Sequence, residues 1–317
     1  LKTMIPGNYE YFISIVQCGS LTKAAEKLYI SQPSLSQYLK RLENNLGVEL
    51  FDHGSSPLRL TYTGERYYHH VLQLQKMDKE LLKEFQDIKN DVSGRLRLGI
   101  ALWRGACLLP EVFPCFHKTY PEIEVELFEG RSNQLESALL HDNIDLAIMN
   151  LPHNLNYGKL TCERIIEEPI LLAAPTTHPV IQELLQNCPY HGSYPVAPLN
   201  VLNQLPLIIT KPGQNLTHEI NYFLGRNQLE PEILMDTGNL TTAINLTARN
   251  VACTFVPAEG AKVCSHPGKV TFFMMDDPDF HWPLAAVYKK DSYLPKIAQL
   301  FISTLRETLG SLQDEFM

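Results

Sequence analysis

The sequence predicts an α/β protein in three parts, and three observations carry that prediction. Short helical patterns crowd residues 8–62. One polar–apolar run fills residues 63–92, with no Gly or Pro after Gly64. From residue 95 to 317, short β-branched runs alternate with amphipathic helices, which is the pattern of strands covered by helices. A chain of 317 residues can bury two or three cores. An apolar fraction of 44% with 20% charged residues is ordinary for folded domains and argues against wholesale disorder. Ser93-Gly94 reads as a hinge, so the expected boundaries are 1–62, 63–92 and 93–317.

Several functional classes lose support at once. No apolar run reaches the roughly 18 residues of a membrane span, and the first ten residues have no apolar stretch of the kind a secretory leader needs. Seven cysteines without a Cys-x-x-Cys pair point to reduced thiols in a cytoplasm and to no structural zinc. His178, Cys188 and His191 have a spacing that fits no closed metal site. They fall in 178–200, a stretch rich in Pro, His and Asn that reads as an irregular surface loop. There is no Gly-x-Ser-x-Gly elbow, Walker loop, Gly-x-Gly-x-x-Gly turn or His-Glu-x-x-His helix, so neither an enzyme nor a cofactor is expected.

In the head, Tyr11, Phe12, Ile15 and Val16 predict a helix ending near Gly19. Ser20 can cap a second helix, because its hydroxyl accepts an orphan backbone N–H. Ala24, Ala25 and Leu28 are its inner stripe, and the paired alanines admit a close neighbour. Ser31 caps a third helix, where Pro33 is tolerated because a first-turn N–H has no partner to lose. Leu35, Leu39 and Leu42 face inward, and Gly47 ends the helix as a left-handed residue. This leaves Gln32, Ser34, Ser36, Gln37 and Lys40 outside, grouped toward its N-terminal end. Such a slim amide- and hydroxyl-bearing tip suits a major groove, where Gln pairs with adenine and Ser with bases or phosphates. It would also suit the solvated face of a small helical bundle. Residues 48–61 then read as two short strands around Gly-Ser-Ser-Pro, a wing whose His53 and Arg59 could reach phosphates. Six cations balance six acids over residues 1–65, while the whole chain carries −8. Nonspecific attraction to a duplex should therefore be only moderate.

These residues resemble the winged helix-turn-helix of the LysR-type transcriptional regulators. The resemblance rests on Phe12, on Gly19-Ser20-Leu21-Thr22-Lys23-Ala24-Ala25, on Ser31-Gln32-Pro33-Ser34-Leu35-Ser36, on Leu42-Glu43, on Leu46 through Phe51, and on Leu60-Thr61 with Thr63-Gly64. It extends, more weakly, over nearly the whole chain. It implies that Gln32, Pro33 and Ser36 touch bases and that Thr22 and Ser34 touch phosphates. Gln37 stands where many members carry Arg, and Ser55 and Ser56 stand where the wing often has arginines. Strong wing contacts are therefore not expected.

Residues 63–92 place Tyr67, Val71, Leu74, Leu81, Phe85, Ile88 and Val92 at heptad a and d positions, with Asp78 in an a position. About 28 helical residues extend roughly 42 Å, too far to bury the stripe within one small domain. A core helix is one reading, and a dimerising connector the other. Beyond the hinge, strands are expected at 96–100, 124–129, 145–149, 169–174, 207–210, 233–235 and 252–256. Helices are expected from about 104 to 120 and at 134–141, 216–227, 240–248 and 295–309. Alternating elements imply parallel sheets covered on both faces, with ligands outside the carboxyl ends of the strands.

Here the resemblance implies an effector domain with the two-lobed fold of periplasmic solute-binding proteins, lobe one at 95–162 with 268–317 and lobe two at 163–267. A small molecule would sit in the cleft, touching Ala101, Leu102, Trp103, Arg104 and Gly105, then Gly130, Arg131 and Ser132, then Lys211, Gln214 and Asn215, then Gly238, Asn239 and Leu240. Relatives often have small hydroxyl residues where this chain has Ala101 and Trp103. The expected site is narrowed by the indole and suits an apolar or aromatic effector with an anionic group for Arg104 or Lys211. Alternatively, Trp103 only packs and Arg104 is solvated. The partners implied are double-stranded DNA carrying a pseudo-palindromic operator with half-sites about 34 Å apart or a multiple of that, the effector, and further copies of the chain as dimer or tetramer. A solute-binding protein and a redox sensor of the same fold remain as rivals. For the latter, Cys107 and Cys115 lie eight apart on one helix, about 12 Å, too far to bridge.

Overall fold

The computed structural model describes residues 8–52, 54–55, 57–88, 93–262 and 266–313. The chain divides into two compact units, Leu1–Lys89 and Asn90–Met317.

The first unit contains α1 (Tyr9–Cys18), α2 (Leu21–Lys27), α3 (Gln32–Leu46), β1 (Phe51–Asp52), β2 (Arg59–Leu60) and α4 (Tyr62–Ile88). Gly19 closes α1 and Gly47 closes α3, both in the left-handed conformation. Phe12, Ile15, Ala24, Ala25, Leu35, Leu39, Leu42, Leu50, Phe51 and Val71 form one buried core. Gly64 lets α4 start against the wing: a Cβ there would lie 1.9 Å from the Leu50 carbonyl oxygen.

The stripe of α4 is split. Val71 is fully buried and Tyr67 packs against the core, whereas Leu81 is 46% and Phe85 52% exposed. Asp78, between them, accepts a hydrogen bond from the Tyr9 hydroxyl. The Ile88 side chain and Val92 lie outside the described residues.

The second unit opens with β3 (Gly94–Ile100), α5 (Leu102–Thr119), β4 (Ile123–Glu129), α6 (Ser132–Leu140) and β5 (Leu146–Asn150). The strands pair in parallel as β4-β3-β5. Next come β6 (Leu160–Pro175), α7 (Pro179–Asn187), β7 (Tyr190–His191), β8 (Tyr194–Ala197) and a 3-10 turn at Leu199–Gln204. Then follow β9 (Leu207–Thr210), α8 (Asn215–Arg226), β10 (Ile233–Thr237), α9 (Leu240–Thr247), β11 (Cys253–Pro257) and α10 (Ala258–Lys262). The chain returns through β12 (Val270–Met275) and β13 (His281–Lys289) and closes with α11 (Lys296–Gln313).

The sheets are mixed rather than parallel throughout. Strand β6 pairs antiparallel with β13 over residues 160–169 and with β11 and β12 over 170–175, so one strand serves both lobes. Its pairing changes at Pro169/Ile170, which moves the crossing point from residue 163. β12 still pairs within the second lobe and β13 within the first, which moves the return from residue 268 to the segment between those strands. The first half of β6 carries Glu163, Arg164, Glu167 and Glu168; that charge hides a strand whose pairing is decided by β13, more than a hundred residues away. Each lobe has its own core, one around Leu98, Val112 and Phe301, the other around Leu172, Phe223 and Phe255.

The stretch 178–200 is not an irregular loop. Pro179 starts α7, whose Ile181 is fully buried, and β7 and β8 form a hairpin. Pro at the first helical position pre-sets the backbone angle there, so the Pro that suggested a loop instead begins a helix.

Candidate DNA-reading face and effector cleft

On the first unit, Ser31 accepts the Ser34 N–H at 3.3 Å and its hydroxyl meets that of Ser34 at 2.7 Å. The Ser34 hydroxyl is thus paired with that of the capping residue. Gln32, Pro33, Ser34, Gln37 and Lys40 are exposed along α3, and Ser36 is half-buried. Thr22 on α2 and Arg59 on β2 are exposed too, while His53 lies outside the described residues. Glu43, on the inner side of α3, accepts the backbone N–H groups of Leu50 at 2.7 Å and Phe51 at 3.2 Å. This carboxylate ties the helix to the wing. Ser55 donates to the Asp52 carbonyl at 2.8 Å and accepts the Arg59 N–H at 3.1 Å. It braces the wing turn. Ser56 lies outside the described residues.

On the second unit, the beginnings of α5, α6, α8 and α9 converge on a cleft of about 660 Å³. Helix N-termini carry partial positive charge and unpaired N–H groups, so four together favour electron-rich ligand atoms. Every expected effector position lines this cleft except Gly105 and Lys211. Gly105 is buried beneath it, where a Cβ would meet Ile100 at 3.1 Å. Lys211 is exposed, and its backbone is held locally: its N–H donates to the Thr237 carbonyl, and its own carbonyl accepts from the Gln214 N–H and the Thr217 hydroxyl. Sequence reading missed Asn133, Glu136, Asn150, Asn154, Thr210 and Trp282 in the wall. Trp282 arrives on the returning strand β13, which no local pattern announced.

Trp103 packs against the core of the second lobe. A Cβ on Gly260 of α10 would lie 2.1 Å from its ring. Arg104 is not solvated. It is 2% exposed and forms an ion pair with Glu168, itself fully buried, and its guanidinium donates to the Asn150 side-chain oxygen at 2.6 Å. A full anion would therefore meet a neutralised cation at this point, a correction to the expectation that Arg104 stands free. Across the cleft, the Asn215 amide donates to the Ser132 hydroxyl at 2.6 Å. Beside it, His153 meets Glu219 at 2.9 Å.

Residues 89–310 match the LysR substrate binding domain and residues 7–65 match the bacterial regulatory helix-turn-helix protein of the lysR family. The chain belongs to the LysR family. It is a transcription regulator that joins a DNA-binding helix-turn-helix to a substrate-binding domain. It is 28% identical over 313 residues to the uncharacterized HTH-type transcriptional regulator YcgK of Bacillus subtilis, covering 96% of this chain and 95% of that protein. To the HTH-type transcriptional regulator BsdA of the same organism it is 26% identical over 295 residues, covering 92% and 97%. Among solved structures it resembles HinK, a LysR family transcriptional regulator from Pseudomonas aeruginosa, with a TM-score of 0.60, 25% identity and coverage of 96% and 97%. Among the described residues no helix is long and apolar enough to cross a membrane, and no group of His, Cys, Asp and Glu is placed to hold a metal.

Proposed function

We propose that this LysR-family regulator reads its operator with the N-terminal end of α3 and is controlled, in the cytoplasm and without catalysis, by a small molecule in the cleft. Gln32, Pro33 and Ser36 meet base edges, Thr22, Ser34 and Arg59 meet phosphates, and Gln37 and Lys40 flank them. One observation carries the reading: Leu35, Leu39 and Leu42 are buried while the amide and hydroxyl tip beside them faces outward. Two copies joined along the exposed part of α4 would present two such tips to a pseudo-palindromic site, as a dimer or a dimer of dimers.

The effector presents an apolar or aromatic surface to Trp103 and an anionic group to Arg131 and the helix N-termini. Effector binding shifts the balance between lobe arrangements through differential affinity. Cys107 and Cys253 are poor candidates for redox control, since burial pushes their thiols up to about 12, far from the reactive thiolate.

The test is the double variant Gln32→Ala with Ser36→Ala, in a chain shown to be folded. Operator binding should weaken by about 1–3 kcal/mol for each side-chain-to-base interaction removed, with nonspecific binding retained. Undiminished selectivity would refute the reading of α3. For the cleft, Trp103→Ala should alter effector affinity and response; no change in either refutes that assignment.

A further inference from the structure

Arg104 is a cation that the cleft does not present as a charge. Its terminal nitrogens donate to both carboxylate oxygens of Glu168 and to Asn150, and Asn150 in turn donates to Glu168 at 2.9 Å. The Arg104 Nε–H, in contrast, is buried with no hydrogen-bond partner among the described residues, in a residue that lines the cleft. A buried donor left unmade is costly, so this N–H favours whatever acceptor enters. The acceptor it favours is set by Glu168, a fully buried carboxylate on the other side of the same guanidinium. A second full negative charge would be repelled by that carboxylate in a low-dielectric setting, while an uncharged oxygen would not.

Glu168 also links the lobes. It stands just before the point where β6 changes partners, and its Oε2 accepts the Glu259 N–H at the start of α10 at 3.4 Å. The indole of Trp103, whose centroid lies 5.8 Å from the Arg104 guanidinium carbon, packs on Gly260 of that same helix. The first turn of α5 therefore reaches α10 twice, once through an apolar wedge and once through a carboxylate.

We propose that the Arg104 Nε–H selects an effector bearing an uncharged oxygen, a hydroxyl or carbonyl, in addition to its acidic group, and that this contact is passed to the second lobe through Glu168. The inference rests on the cleft reading above and narrows the effector to a hydroxy or keto acid with a flat or apolar body. The acid lies toward Arg131, and the neutral oxygen lies against Arg104.

The experiment uses the full chain with three matched probes: benzoate, 4-hydroxybenzoate and terephthalate, carrying respectively no second oxygen group, a neutral one and a charged one. By calorimetry and thermal shift, 4-hydroxybenzoate should bind about three- to tenfold more tightly than benzoate, and terephthalate should bind most weakly. Glu168→Gln should raise terephthalate affinity at least about tenfold relative to 4-hydroxybenzoate. If that variant does not fold, Arg104→Met with Glu168→Met removes the pair together, a change buried pairs often tolerate, and should erase the preference for 4-hydroxybenzoate over benzoate. An order unchanged by these variants overturns the inference and leaves the cleft reading intact. Failure of all three probes to bind any form overturns the aromatic-acid reading of the cleft and the inference with it.

Discussion

Asn215, the first residue of α8, donates its side-chain amide to the hydroxyl of Ser132, the first residue of α6, at 2.6 Å across the cleft. The two lobes thus touch through the ends of helices that also form the ligand wall. Such a bond has a net value of only about 0.5–1.5 kcal/mol, small enough for a ligand to replace it. Asn215→Ala should raise the population of open lobes about two- to tenfold, read as a longer distance between spin labels placed on α6 and α8. An unchanged distance distribution would mean that the bond does not hold the cleft.

Glu43 joins the recognition helix to the wing through two backbone N–H groups. Glu43→Ala leaves both donors without this acceptor and should cost about 2–4 kcal/mol, lowering the melting temperature and operator affinity together. Glu43→Gln keeps an acceptor oxygen and should lose clearly less.

Gly64 faces the Leu50 carbonyl oxygen at a separation that no Cβ can share. Gly64→Ala should destabilise the first unit by more than about 3 kcal/mol. Chemical denaturation should show it, while ligand binding in the cleft persists.

Asp277 supplies the pH test. Burial alone would raise its pKa, but hydrogen bonds from Asn227, the Asp279 N–H and Arg226 outweigh burial and hold it below the ordinary 3.8. A depressed folded value means that its stabilisation is complete above 3.8 and is lost as pH falls through the folded value. Asp277→Asn should lower the melting temperature by ~2–4 °C near pH 7, and the difference from wild type should close as the pH falls below 3.8 and through the lower folded value. A difference that grows in acid would contradict the sign.

Leu81 and Phe85, with Met77, are exposed apolar residues on the distal half of α4. Leu81→Glu with Phe85→Glu should shift the sedimenting species from oligomer to monomer and weaken operator binding. An unchanged mass would assign oligomerisation to another surface.

Much of the head was legible because its signals are local. Ser20 and Ser31 do cap helices, Gly19 and Gly47 do end them, and the leucines at 35, 39 and 42 are buried at helical spacing. In the second unit, strand β9 lies where its apolar run lies, and the four segments that the family resemblance nominates meet in one cleft. Charge and proline misled the reading elsewhere. Glu and Arg hid the first half of β6, and Pro179 suggested a break where it starts a helix.

The sequence by itself determined the element types of the head, the capped recognition helix with its outward amides and hydroxyls, and the family, because these signals lie within short stretches of chain. Only the tertiary structure decided that β6 serves both lobes, that Trp282 closes the wall, and that Arg104 is neutralised by Glu168, 64 residues later in the chain. Strand pairing and ion pairing over such distances are chosen by the packing of whole layers. No local pattern encodes which buried charge will meet which partner.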